Sequence, residues 1–201
     1  MCLTDIRARM HRACDEAARP CDSVTLVAVC KNRTAEEIAP LLAAGQRVFG
    51  ENRVQEAAAK WPALRAAHGD IELHLIGQLQ TNKAKEAVAL FDVIESLDRE
   101  NLADALVAEM KKQNRILPCF IQVNTGEEPQ KGGAAPKDLP DFYAYCRNAG
   151  IDVAGLMCIP PAQDVAALHF ALLRKLAGEL PAPKPLQLSM GMSGDFETAI
   201  R

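Results

Sequence analysis

Long apolar runs are missing from this chain. No stretch approaches the roughly 18 residues of a membrane span, and the N-terminus places Asp5, Arg7 and Arg9 on a helical pattern where a signal peptide would carry its apolar core. Aromatic residues are scarce at 4%, no basic block occurs, and 23 Lys and Arg against 26 Asp and Glu leave a net charge of −3. That balance argues against nucleic-acid binding. The seven cysteines (Cys2, Cys14, Cys21, Cys30, Cys119, Cys146, Cys158) are odd in number and form no C-x-x-C pair, which argues against a disulfide framework and a zinc cluster. Cys30, Cys119 and Cys158 sit in apolar runs and read as small core residues. His11, His68, His74 and His169 are scattered with no H-E-x-x-H spacing, so no metal site is expected. What remains is a cytoplasmic globular protein, 49% hydrophobic and 24% charged, whose 201 residues suffice for one domain with a substantial core.

What the chain does contain is alternation. An amphipathic helix is predicted over 3–18, with Ile6, Met10 and Ala13 on one face, and a strand over 24–30. Thr34 and Glu37 form a capping box that opens a helix ending at Gly45. Strands follow at 47–50, 71–76, 91–97, 117–123, 153–159 and 186–190. Between them helices are predicted over about 53–60, 81–89, from a cap at Asp98 to about Asn114, 138–148 and 163–179, with a last one after Asp195. Strict β-α alternation implies a parallel sheet with helices on its faces, as a doubly wound sheet or a (β/α)₈ barrel. The first strand is followed by no G-x-G-x-x-G and the chain has no Walker A motif, so the doubly wound solution lacks its usual signatures. A barrel needs an eighth strand, and the last residue, Arg201, falls within the seventh helix after a strand. Either the fold is open or its last strand is missing from this sequence.

Six of the seven residues from Val24 to Cys30 are apolar, which reads as a fully buried strand, and Lys31 stands at its carboxyl end. In α/β proteins an amine there can be partly desolvated, and a neutral amine condenses with an aldehyde; the alternative is a lysine snorkelling to solvent. The carboxyl ends of the other strands bring Glu51-Asn52, His74 and Gly77, Ser96, Asn124, Met157 and Met192-Ser193-Gly194 to the same face. The Ser193-Gly194 turn opens a helix and offers free backbone N–H groups as a phosphate seat. An amine and a phosphate seat in one mouth suit pyridoxal 5′-phosphate. Each position has a plainer alternative: a helix cap for Asn52 and for Ser193, a satisfied core histidine for His74, and packing for Met157.

The segments Leu26–Lys31, Phe49–Glu56, His74–Lys83, Ile121–Asn124, Gly155–Met157 and Leu188–Ser193 together resemble the pyridoxal phosphate homeostasis proteins of the YggS/PROSC family, from about residue 5 to the chain end. The resemblance implies a TIM (β/α)₈ barrel like the N-terminal domain of alanine racemase, here lacking its eighth strand. It implies a Schiff base between the cofactor and Lys31, phosphate contacts from Ser193 and Gly194, and Asn52, His74 and Met157 lining the site. It implies no catalytic residue and no metal, but a monomer that binds pyridoxal 5′-phosphate and helps buffer its supply, with cofactor-dependent apoenzymes as partners. A racemase- or decarboxylase-type enzyme on the same cofactor is the alternative, although the only tyrosines, Tyr143 and Tyr145, fall on a predicted outer helix. A cofactor-free Schiff-base aldolase would need a carboxylate beside Lys31, with Glu51 and Glu95 as candidates. Two departures stand out. The family's Ser-Lys-Thr is Cys30-Lys31-Asn32 here, with Cys30 expected to point away from Lys31. Family members also continue into a final strand bearing an Arg and a Gly-Thr pair. The expectation is a single domain over 1–201 that is C-terminally incomplete or shown without its tail, with exposed edges on the first and seventh strands. A native mass of 21.8 kDa would mean that the shortened chain is real.

Overall fold

The computed structural model describes residues 2–201. Seven strands, β1 (Ala28–Val29), β2 (Val48–Glu51), β3 (Glu72–Leu75), β4 (Val93–Leu97), β5 (Cys119–Gln122), β6 (Val153–Met157) and β7 (Gln187–Ser189), form one sheet in sequence order, each parallel to the next. Parallel neighbours need crossover connections. These are α2 (Ala35–Ala43), α3 (Val54–Ala67), α4 (Ala84–Leu90), α5 (Glu100–Gln113), α6 (Leu139–Ala149) and α7 (Ala166–Glu179). Helix α1 (Leu3–Glu16) precedes the sheet and α8 (Phe196–Ile200) follows it.

The sheet is curled into a barrel. Ser189 Oγ on β7 donates to Glu95 Oε2 on β4 at 2.5 Å, whereas three strand spacings in a flat sheet would part them by ~14 Å. The fold is therefore a TIM-type α/β barrel in which, among the described residues, β7 and β1 are not paired with each other and the eighth strand position is empty. The helical layer closes where the sheet does not. Met10, Ala13 and Cys14 of α1 pack on Ile200 of α8, Arg9 pairs with Glu197 at 2.6 Å, and the Arg9 guanidinium lies 4.6 Å from the centre of the Phe196 ring.

Side-chain alternation divides the interior. On β3, Leu73 and Leu75 face the helices and join the main core, which also takes Phe49, Trp61, Phe91 and Leu106. Glu72 and His74 face the lumen, where Val93, Phe120 and Met157 form a small apolar cluster of their own.

Three expectations need correction. The strand predicted over 24–30 is neither long nor fully buried: only Ala28 and Val29 pair with β2, and Val29 is 46% exposed. Among the described residues no strand covers the outer side of β1, and the segment before it is held by a side chain instead, Gln46 Nε2 donating to the Leu26 carbonyl at 2.7 Å. Asp98 does not cap α5; Arg99 holds that position, and Asp98 accepts from the Arg99 guanidinium at 2.6 Å. Helix α3 runs to Ala67, beyond 60, because the buried Trp61 and Leu64 extend its apolar face past Pro62. Helix α2 opens with the capping box foreseen at Thr34, whose amide donates to Glu37 Oε2 at 2.8 Å.

Candidate functional site

Lys31 lies in a turn beyond β1, closed by Arg33 N–H donating to the Cys30 carbonyl at 3.1 Å. Asn32, third in that turn, has φ +58°. A β-branched Thr is strained there, while Asn tolerates the left-handed region, so the departure at residue 32 suits the backbone. The Asn32 amide donates to Glu56 Oε1 at 2.5 Å. Beneath the turn Lys60 Nζ donates to the carbonyls of Cys30 (2.8 Å) and Arg33 (3.0 Å), and pairs with Glu51 (2.7 Å) and Glu56 (3.1 Å). Burial would lower the Lys60 amine, but the hydrogen bonds to Glu51 and Glu56 outweigh it and raise its pKa, keeping it cationic. The backbone around Lys31 is thus pinned, while the Lys31 ammonium is exposed and meets no hydrogen-bond or ion-pair partner among the described residues. Cys30 turns into the helix-facing core at 2% exposure, and burial pushes its thiol up to about 12. It points away from the lumen, as alternation predicts.

His74 is buried and carries a carboxylate on each ring nitrogen: Glu95 Oε1 lies 2.5 Å from Nδ1 and Glu72 Oε1 lies 2.8 Å from Nε2. Two acceptors suit an imidazolium that donates from both nitrogens. Burial alone would push the imidazole down, but Glu95 first and then Glu72 hold it above the ordinary histidine value. Glu95, 2% exposed, also receives Ser189 Oγ, so a hydrogen-bonded chain crosses the lumen from β3 through β4 to β7. Met157 ends β6 opposite Ser189 in register and forms the apolar wall with Val93 and Phe120.

Asn52 follows β2 but is no helix cap, since Arg53 holds that position for α3. Its backbone passes so close to β3 that a Cβ on Gly77 would lie 2.2 Å from the Asn52 carbonyl oxygen. Ser193 and Gly194 are exposed in the turn after β7, and Ser193 is not a cap either: Asp195 precedes α8 and accepts the Met192 amide at 2.5 Å. Lys31, Asn52, Met157, Ser193 and Gly194 therefore all lie at carboxyl ends of strands on one barrel mouth, with His74 one residue deeper. Asn124 belongs to its own loop, bonded to the carbonyl and amide of Glu128 at 2.8 and 3.2 Å. Neither carboxylate considered as a partner for Lys31 bonds to it. Glu51 faces the helices, held by Lys60 and by Trp61 Nε1 at 3.0 Å, and Glu95 is taken by His74 and Ser189. Sequence reasoning missed Lys60 and Ser189 and offered Glu95 only as a partner for Lys31. The available signals were a lysine on the apolar face of α3 and a carboxylate in the apolar run of β4. Among the described residues no group of three or more His, Cys, Asp or Glu is placed to hold a metal ion, and no helix is long and apolar enough to cross a membrane.

Residues 2–200 match the family described as alanine racemase, N-terminal domain. A curated relative named pyridoxal phosphate homeostasis protein, from Aquifex aeolicus, is 39% identical over 206 residues, covering 98% of this chain and 89% of the relative. PipY of Synechococcus elongatus, solved with pyridoxal phosphate bound, superposes with a TM-score of 0.83 at 38% identity, covering 96% of this chain and 92% of PipY. An alanine racemase from Bartonella henselae shares the fold with a TM-score of 0.67 at 16% identity, covering 94% of this chain and 54% of the racemase.

Proposed function

The chain belongs to the alanine racemase N-terminal domain family and, within it, to the pyridoxal phosphate homeostasis proteins, and from that premise we propose that it binds pyridoxal 5′-phosphate as a Schiff base on Lys31 and acts as a non-catalytic carrier of the cofactor. The observation that carries this reading is the placement of Lys31: its backbone is pinned by Glu56 and Lys60, and its amine is left without a protein partner at the mouth. When bound, the cofactor supplies an aldehyde that takes the amine covalently and a phosphate that needs donors. The residues present fit those needs. Ser193 offers a hydroxyl and, with Gly194, backbone amides that donate to no protein acceptor among the described residues. Asn52 lines one side, Met157 supplies an apolar wall, and His74, its pKa raised by Glu95 and then Glu72, lies at the floor. Racemisation needs two opposed proton-transfer groups. Tyr143 is buried in α6, and Tyr145 donates to Asp104 at 2.8 Å in the outer layer, so neither tyrosine serves the mouth. In this reading the protein is a cytoplasmic monomer over 1–201 whose partners are cofactor-dependent apoenzymes.

The test is the absorbance spectrum of the purified protein loaded with pyridoxal 5′-phosphate, followed by borohydride reduction and peptide mapping. A Schiff-base band and a reduced adduct on Lys31 are expected, both lost in Lys31→Ala. An unchanged spectrum in that variant overturns the assignment. Stereospecific deuterium exchange at Cα of added amino acids, at an enzyme-like rate, would overturn the non-catalytic part alone.

A further inference from the structure

We propose that Cys14 and Cys21 form a reversible dithiol–disulfide site, oxidised by exchange with a low-molecular-weight disulfide, that clamps α1 to the segment leading into β1. Cys14 is fully buried in the cluster that α1 makes with Ile200, and Cys21 packs on the same cluster together with Val24 and Leu26. Burial first, and then the neighbouring Cys21 side chain, raises the Cys14 thiol above its ordinary value. Cys21 is half-buried and opens onto a surface pocket of about 520 Å³, whose other lining residues include Arg7, Met10 and His11. One sulfur is therefore reachable by a small molecule, and the second belongs to the buried cluster on which the first packs. Cys119 and Cys146 also lie near each other, but both are fully buried and no such entry serves them.

The chemistry balances within this pair and one oxidant. Cys21, as thiolate, attacks one sulfur of RSSR; its proton leaves with the first RSH, and a Cys21–S–S–R mixed disulfide forms. Cys14 then gives up its proton and attacks the Cys21 sulfur. The Cys14–Cys21 bond forms and the second RSH departs. Two thiols are oxidised and one RSSR is reduced to two RSH. Because Cys14 holds its proton tightly, the second step is the slower and the more sensitive to pH. The bond closes a short loop over the end of α1, where Ala18 has φ +50° and Arg19 donates to Ser23 Oγ at 3.1 Å, so one face of α1 becomes covalently tied to the seam strand.

The test uses the full chain with the exposed Cys2 replaced, Cys2→Ser, so that reaction there does not obscure the result. It is incubated with oxidised glutathione, denatured, alkylated and digested with trypsin. The peptide 13–31, uncut at Arg19-Pro20, contains Cys14, Cys21 and Cys30. It is expected to carry a transient glutathione adduct, then to lose two hydrogens with Cys30 alone alkylated, the closure accelerating as pH rises. Cys21→Ser should abolish adduct and link, and Cys14→Ser should leave a stable adduct on Cys21. A glutathione adduct that persists on Cys21 in the parent chain, or no reaction at either cysteine, overturns the proposal. The pH dependence of closure is read on the parent chain and so does not depend on either variant folding.

Discussion

Replacing Lys60 by Met should be the costliest single change near the site. Methionine keeps most of the packing volume and removes only the ammonium. That ammonium is buried, with a side chain 9% exposed, and it neutralises Glu51, whose side chain is 0% exposed. Breaking a buried ion pair from one side strands the other charge and costs about 3–5 kcal/mol. Trp61 Nε1 still donates to Glu51 at 3.0 Å, which favours the lower half of that range. The carbonyls of Cys30 and Arg33 also lose a donor, at about 0.5–1.5 kcal/mol each where water does not replace it. A total near 4 kcal/mol, divided by a urea m-value of about 2 kcal/mol/M, moves the unfolding midpoint down by about 2 M. Adding Glu51→Gln removes the stranded charge and should restore at least half the loss, a coupling readable in a double-mutant cycle. Yields of borohydride-trapped cofactor on Lys31 should fall in parallel, since the turn loses its lower support. A Lys60→Met protein within about 1 kcal/mol of the parent, with no gain on adding Glu51→Gln, would refute the reasoning.

Glu95→Gln should lower the His74 pKa, measured by following the imidazole resonances in an NMR pH titration. The parent value is raised above the ordinary 6.5, so the stability this contact contributes is fully present below about 6.5 and is lost as pH rises through the raised value. The stability gap between parent and variant should therefore narrow with rising pH across that window, and a gap independent of pH would count against an imidazolium at the floor. Gly77→Ala places a methyl 2.2 Å from the Asn52 carbonyl oxygen and 2.7 Å from its Cα. Backbone cannot yield there as a side-chain tip would, so a loss of about 3 kcal/mol or more is expected in urea unfolding, and a fully stable variant would mean that the β2 and β3 loops are not so closely apposed.

The architecture was largely legible because each βα unit carries its own periodicity and punctuation: the capping box at Thr34 and the turn at Gly45 appear where local chemistry demands them. The first strand was misread because apolar content reports what a segment could bury, and among the described residues no strand lies beside β1 to bury Val29. The cap assigned to Asp98, and the cap alternatives for Asn52 and Ser193, failed for a related reason. Cap propensity is satisfied by alternative local bonds, as when Asp98 takes the Arg99 guanidinium. Five of the six candidate site residues fall on one mouth and His74 just beneath it, since strand polarity alone decides which end a residue occupies. The support beneath them was not legible: Lys60 reaches 30 positions back to Cys30, and Ser189 reaches 94 positions back to Glu95. No local pattern encodes such pairings.

The contact between α1 and α8 joins residues 188 positions apart, Arg9 and Glu197. Every neighbouring strand pair closes a far shorter loop, and loop-closure entropy makes the terminal contact about 2 kcal/mol harder to reach than one of roughly 25 residues. Such a contact forms last and opens first. The two sides of that late seam are β1, which leads to Lys31, and β7, which leads to Ser193 and Gly194. A ligand tethered at one side and held by its phosphate at the other would span the gap, converting the slowest-forming part of the ring into one secured by mass action. Amide exchange should then report loading as protection concentrated at β1, β7 and α8, with β3 to β5 unchanged.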